Sequence, residues 1–130
     1  MRTQYHARKV GPDMHIWDVH RLVRAPEPLE VIRLPLTEIA ELDENWWYDD
    51  PANVPTPRSF VQHMTLVRAC DLAYPILLCA EGRLMDGMHR AVKALLAQNT
   101  YILARRFPKT PAPDHINVPL TELPYHDQDI

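Results

Sequence analysis

The segment YPILLCAEGRLMDGMHRAVKALL, residues 74–96, decides the fold predicted for this chain. It begins with an apolar run from Tyr74 to Cys79, turns at Glu81-Gly82 and continues as a second short apolar stretch from Arg83 to Met85. Two short apolar runs joined by a glycine-containing turn are typical of a β-hairpin. We therefore predict a hairpin that leads into a second turn at Asp86-Gly87.

A helix is predicted directly after this second turn, from His89 to Gln98. Its core-facing residues are expected to be Ala91, Val92, Leu95 and Leu96. Asn99 ends the pattern, and Tyr101 to Phe107 is predicted as a strand. In such a strand-turn-helix unit, the unpaired backbone amides at the start of the helix attract anions.

The turn itself has the residues expected of a phosphate-binding site, namely Asp86, Gly87, Met88, His89 and Arg90. Glycine permits a positive φ or a close approach of the backbone to a ligand. His89 and Arg90 project from the first helical turn and can form charged hydrogen bonds with phosphate oxygens. Two structural alternatives remain open: Asp86 could cap the helix, and Arg90 could pair with the acidic loop that lies within residues 38–50.

The pattern before residue 74 predicts two longer helices, one strand and a loop. Local spacing and proline positions place a helix at Asp13–Ala25, a strand at Leu29–Leu34, a short helix at Thr37–Leu42, a loop at Asp43–Pro57 and a helix at Arg58–Leu72 that Thr56 caps.

The length of 130 residues and the 46% hydrophobic content favour a single α+β domain, a small mixed sheet with helices packed against it. We expect a helical extension at residues 1–28, the domain proper at 29–107, and a proline-rich tail at 108–130 packed on the same domain. No apolar run has the length of a membrane span, and no signal sequence is recognisable. Two cysteines outside any paired motif fit a reducing cytoplasm, with both thiols buried and inert.

Charge is distributed unevenly along the chain. The net charge of -3 argues against a protein that coats DNA. Residues 38–50 contain six acids and no base, whereas residues 83–109 contain six bases and a single acid. This asymmetry indicates either an anion-binding surface or two solvated faces of opposite sign.

Outside the turn, the acidic segment holds the other candidate functional residues. Glu38 and Glu41 could supply a general base or a Mg²⁺ ligand, and the triplet Trp46-Trp47-Tyr48 could stack on a base or anchor the loop. The seven histidines show no metal-ligand spacing, so no metal site is predicted, and His63 is expected to be a surface or interface residue.

Residues Leu29 to Phe107 resemble the ParB-like N-terminal domain of the ParB/sulfiredoxin superfamily. The resemblance rests on the order of the elements, on YPILL at 74–78 and on EGRLMDGMHR at 81–90. It implies the ParB/sulfiredoxin fold and a nucleotide, ATP or another, held with Mg²⁺ by its phosphates on Gly87 to Arg90. Members include ATP-using sulfiredoxins, CTP-binding partition proteins and serine kinases.

Two departures from the family narrow the function. Met88 stands where sulfiredoxins have their nucleophilic cysteine, so sulfinic-acid reduction is not expected. No helix-turn-helix domain is predicted after the fold, so specific DNA binding is not expected either.

Three hypotheses then remain. The first is phosphoryl transfer or nucleotide hydrolysis, with Glu38, Glu41 and His89 as catalytic candidates and an unknown small molecule or protein as acceptor. The second is a noncatalytic, nucleotide-responsive regulatory module. The third is a domain whose turn is vestigial.

Overall fold

The computed structural model describes residues 4–24 and 29–123, with only the backbone of Leu120. The chain separates into two compact units. The terminal unit comprises Met1–Pro28 and Lys109–Ile130, and the central unit comprises Leu29–Pro108. Residues 1–3, 25–28 and 124–130 lie outside the described residues. They include both ends of the predicted N-terminal extension, the last residue of its predicted helix and the end of the predicted tail.

The described elements follow one another in an order that mixes strands and helices. They are β1 Tyr5–Val10, β2 Asp13–Asp18, α1 Val19–Val23, β3 Ile32–Pro35, α2 Pro57–Ala69, β4 Ile76–Leu78, β5 Leu84–Asp86, α3 Met88–Leu96, β6 Tyr101–Arg106 and β7 His115–Ile116. Short 3₁₀ turns occupy Leu36–Glu38, Ala40–Asp43 and Leu120–Glu122.

The predicted helix at Asp13–Ala25 is wrong over its first half. β1 and β2 form an antiparallel hairpin, and Gly11 with φ +58° lies in its turn. The helix is reduced to α1, which begins after Asp18, whose side chain accepts a hydrogen bond from the amide of His20. Pairing along the whole of β1 therefore prevails over the helical spacing of the apolar residues.

The C-terminal segment belongs to the terminal unit. β7 pairs antiparallel with β2, and Trp17 Nε1 donates to the carbonyl of Pro111 at 2.8 Å. Asp114 accepts from the backbone amide of Asp18 and from Arg21 Nε, each at 2.7 Å. The proline-rich tail predicted at 108–130 thus contributes a strand to the sheet of β1 and β2, a pairing across about a hundred residues that leaves no local signal in composition.

The central unit is a small mixed α+β structure, as the fold class predicts. Its sheet has the order β3-β6-β4-β5, in which β6 is antiparallel to β3 and parallel to β4, and β4 is antiparallel to β5. The hairpin predicted at 74–85 and the final strand are confirmed. The helix capped by Thr56 is also confirmed, since Thr56 Oγ1 accepts from the amide of Ser59 at 3.1 Å. The helix predicted at Thr37–Leu42 is replaced by two 3₁₀ turns.

The core of this unit lies between α3 and the sheet. Met88, Ala91 and Ala94 form the buried face of α3 and pack with Ile76, Leu84 and Ile102. Leu95 and Leu96, predicted to face the core, are 52% and 61% exposed. The small alanines bring α3 close to the sheet, and this turns the leucines outward. Among the described residues, no helix has the length and apolar character needed to cross a membrane.

Candidate functional site

The candidate site is built around the start of α3. β5 ends at Asp86, Gly87 adopts φ +112° and ψ 25°, and the helix begins at Met88. Within the described part of the chain, no side chain caps this helix end. Its first backbone amides therefore keep their partial positive charge for an outside acceptor.

The local fold requires glycine at position 87. A Cβ atom added at this position would lie 2.5 Å from Cγ2 of Ile76 and 2.9 Å from Nη2 of Arg90. Its φ also lies where L side chains are strained. Both the conformation and the packing of the turn therefore depend on glycine.

Arg90 is turned back towards the hairpin. Its Nη2 donates to Oδ2 of Asp86 at 3.0 Å and to the carbonyl oxygen of Pro75 at 3.3 Å. Its side chain is 19% exposed, and within residues 4–24 and 29–123 no acceptor is found for the buried Nε–H. The guanidinium therefore joins α3 to both sides of the hairpin. Asp86 pairs with Arg90 instead of capping the helix, and Arg90 pairs with Asp86 instead of with the acidic loop.

His89 meets a partner that the sequence did not indicate. Its Nε2 lies 3.0 Å from Nδ1 of His63 on α2. Trp47 stacks on both imidazoles, with ring centroids 4.1 Å from His63 and 5.3 Å from His89. Tyr48 meets His63 edge-on at 5.9 Å, and its hydroxyl hydrogen-bonds with Ser59 Oγ at 3.0 Å. We call Trp47, Tyr48, His63 and His89 the aromatic–histidine cluster.

The surroundings of this cluster favour neutral imidazoles. Burial lowers the pKa of His89. The neighbouring His63 and Arg90 lower this pKa further, whereas Asp86 raises it. Burial also lowers the pKa of His63. At neutral pH the two rings therefore share one N–H between the facing nitrogens.

The structure gives Glu41 a structural task. Its side chain is 2% exposed, it accepts a short hydrogen bond from the amide of Leu84, and it lies 3.6 Å from Nε of Arg83. Glu44 accepts two hydrogen bonds from the same guanidinium, at 2.8 and 2.7 Å, which lowers the pKa of Glu44 and raises that of Arg83. Glu38 is exposed and, in the described part of the chain, forms no hydrogen bond or ion pair.

A cavity of about 160 Å³ lies beside the start of α3. It brings the aromatic triplet of the acidic loop next to Met88 and Val92, and its other lining residues are Glu41, Leu42, Glu44 and Asn45. Met88, one of the predicted ligand residues, is 7% exposed, belongs to the core and also lines this cavity.

Among the described residues, no three histidine, cysteine or acidic side chains come close enough to hold a metal ion.

Comparison with protein-family profiles, with curated proteins and with solved structures gives no match. The assignment to the ParB/sulfiredoxin superfamily therefore stays a prediction from residues 29–107. The geometry brings Asp86, Gly87, Met88, His89 and Arg90 together in one turn, and it adds His63 and Trp47 to them. The sequence singled out the Trp46-Trp47-Tyr48 triplet and placed His63 at a surface or interface, but a local pattern could not show that Trp47 and His63 contact His89.

Proposed function

We propose that the central unit binds a phosphate-bearing ligand, of which a nucleotide is the expected class, at the start of α3. The observation that carries this proposal is the helix end after Gly87, which no described side chain caps. Backbone amides at such an end point towards an anion, and the helix dipole favours negative charge there.

One neighbouring feature supports a nucleotide over a bare anion. The cavity lined by Trp46, Trp47 and Tyr48 adjoins the same helix end, and aromatic rings stack on planar bases. The resemblance to the ParB/sulfiredoxin superfamily implies a phosphate site on the same residues.

The geometry favours a binding module over a carboxylate-driven transferase or hydrolase. A general base must be free to accept a proton within hydrogen-bond reach of the acceptor. Glu41 already accepts from Leu84 and lies next to Arg83, so it lacks this freedom. Of the three catalytic candidates, Glu38 and His89 then remain for an enzyme built on this site.

Thermal denaturation with ATP, ADP, CTP and GTP, each with and without Mg²⁺, tests the proposal. A ligand that binds the native state raises the free energy of unfolding, by about 2.7 kcal/mol at a hundredfold excess over Kd, and therefore raises the midpoint temperature. Absence of a shift with all four nucleotides and with pyrophosphate would contradict the proposal.

Two substitutions at His89 locate the site. His89→Asp puts a carboxylate in the first turn, where it suits the helix dipole but repels phosphate. His89→Asn is the neutral control. We expect nucleotide affinity to be at least about tenfold lower for the Asp variant than for the Asn variant, as for the loss of a charge-assisted contact. Equal affinities would place the phosphate elsewhere.

A further inference from the structure

The hydrogen bond between His63 and His89 limits how many protons the two rings can hold. One N–H must lie between Nδ1 of His63 and Nε2 of His89, which are 3.0 Å apart. A neutral pair carries this shared proton and one more on an outer nitrogen, and a singly charged pair carries a proton on both outer nitrogens. A doubly charged pair has two facing N–H groups, so the hydrogen bond is lost.

In the unliganded protein, the charges around the pair disfavour the extra proton. Arg90 of α3 adds positive charge beside His89, and burial of both imidazoles further disfavours a charged ring. Asp86 is the acid that faces His89, but it is already paired with Arg90. The acidic loop places the uncharged rings of Trp47 and Tyr48 against the pair. Its acids Glu41 and Glu44 instead accept hydrogen bonds from Leu84 and Arg83.

The position of Trp47 nevertheless suits a charged pair. Its ring is nearly parallel to both imidazoles, with interplanar angles of 13° and 22°. The face of an indole ring carries negative electrostatic potential and attracts a cation within about 6 Å. The missing contribution is a negative charge near His89, which an oxyanion at the start of α3 would supply.

We propose that the His63–His89 pair takes up one proton when a dianionic oxyanion binds at the start of α3, and that the site thereby prefers a terminal phosphate dianion to a monoanionic diester. This inference rests on the proposed function. The proton comes from solvent, resides on an outer imidazole nitrogen, and leaves the hydrogen bond between the rings intact. No covalent bond is made or broken.

One consequence is a pH-dependent affinity. Because ligand binding and proton binding favour each other, a dianion binds more tightly as the pH falls from about 8 towards 6. The gain in affinity ends once the pH lies below the pKa of the pair in the free protein, because both states then carry the proton. The expected profile of affinity against pH therefore rises from pH 8 and levels off at low pH.

Calorimetry with sulfate as the probe tests the inference, because sulfate is a tetrahedral dianion that does not titrate in this range. Binding is measured with the full chain at pH 7.5 in buffers of different ionisation enthalpy, which gives the number of protons taken up. We expect uptake approaching one proton per bound sulfate. Sulfate that binds without proton uptake, or that does not bind at all, overturns this inference, whereas the proposed function is decided separately by the denaturation experiments with nucleotides and pyrophosphate.

A second measurement assigns the proton to the pair. In NMR titrations of the imidazole Cε1–H signals, sulfate should raise the apparent pKa of His63 and His89. His63→Asn keeps a polar atom near the former Nδ1 position and should reduce the proton uptake by at least half, whereas His20→Asn is the matched control. Equal shifts at all histidines, or full uptake by the His63 variant, would overturn the assignment.

Discussion

Nδ1 of His63 lies 3.0 Å from Nε2 of His89, although 26 positions separate the two residues in sequence. The contact joins the middle of α2 to the first turn of α3, and Trp47 covers it. Lys93 joins the same helices further along, since its Nζ donates to the carbonyl oxygens of Arg68 and Cys70. α2 is thus held to α3 by polar contacts, while Val67 is its one fully buried residue.

The stability of the central unit should fall as the pH drops from about 7 to about 5. Both imidazoles have a pKa below the ordinary value near 6.5, so the unfolded chain binds more protons than the native state in this range. Stability is therefore fully present above the unfolded pKa and is lost as the pH falls through the folded values. Urea denaturation at several pH values, followed by fluorescence of Trp46 and Trp47 in a Trp17→Phe background, measures this dependence.

A double variant provides the control for the pH dependence. His63→Gln with His89→Gln removes the two titrating rings and should flatten the slope between pH 7 and 5. A slope that persists unchanged in the double variant would show that other groups cause it.

Gly87→Ala should destabilise the central unit far more than Gly82→Ala. Both glycines have positive φ, +112° and +84°, so each substitution costs about 1 kcal/mol or more in backbone strain. At Gly87 the new methyl group also lies 2.5 Å from Ile76 Cγ2, whereas at Gly82 the nearest atoms are 3.8 Å away on the flexible Arg106. Overpacking adds about 1–3 kcal/mol. Denaturant midpoints of the two variants give the comparison, and equal losses would refute the packing argument.

Glu41→Ala should lower the free energy of unfolding by about 3 kcal/mol, because it leaves the amide of Leu84 buried and removes a buried charge partner of Arg83. Glu38→Ala, at an exposed position, should change it by less than about 0.5 kcal/mol. Chemical denaturation measures both. A fully stable Glu41→Ala protein that has lost only a ligand-dependent activity would restore Glu41 as a catalytic candidate.

Arg90 and Asp86 should be energetically coupled. The ion pair is partly buried, with side-chain exposures of 19% and 20%, and Arg90 also donates to Pro75. A double-mutant cycle with Arg90→Ala and Asp86→Ala should give an interaction energy of about 0.5–2 kcal/mol. Arg90→Ala alone should lower the free energy of unfolding by about 1–2 kcal/mol. It should also weaken nucleotide affinity by roughly 10- to 100-fold, because a charged contact is lost. Additive stability changes would argue against the pair.

Asp114→Ala should loosen the terminal unit. One carboxylate serves both the backbone amide of Asp18 and Nε of Arg21, so its loss should cost about 1–3 kcal/mol. Trp17 lies in this unit, and its fluorescence in a protein with Trp46 and Trp47 replaced by Phe reports the change. Asp13→Ala removes a single hydrogen bond, from Asn117 Nδ2, and is the milder control.

The sequence by itself determined the hairpin at 74–85, the turn at Gly87, the helix capped by Thr56 and the strand at β6. Each of these features depends on residues within a few positions of one another, through turn glycines, a capping hydroxyl and short-range apolar patterns. The five residues of the turn were predicted together for the same reason, and the structure keeps them together.

Only the tertiary structure decided the partners of these residues. The pairing of β7 with β2, the burial of Glu41 against Leu84 and the contact of His63 with His89 join positions from 26 to about a hundred residues apart. Such contacts follow from how whole elements pack, and a local window cannot distinguish a histidine that meets another histidine from one that meets water. Packing against the sheet likewise made Met88, Ala91 and Ala94 the buried face of α3 and left Leu95 and Leu96 exposed.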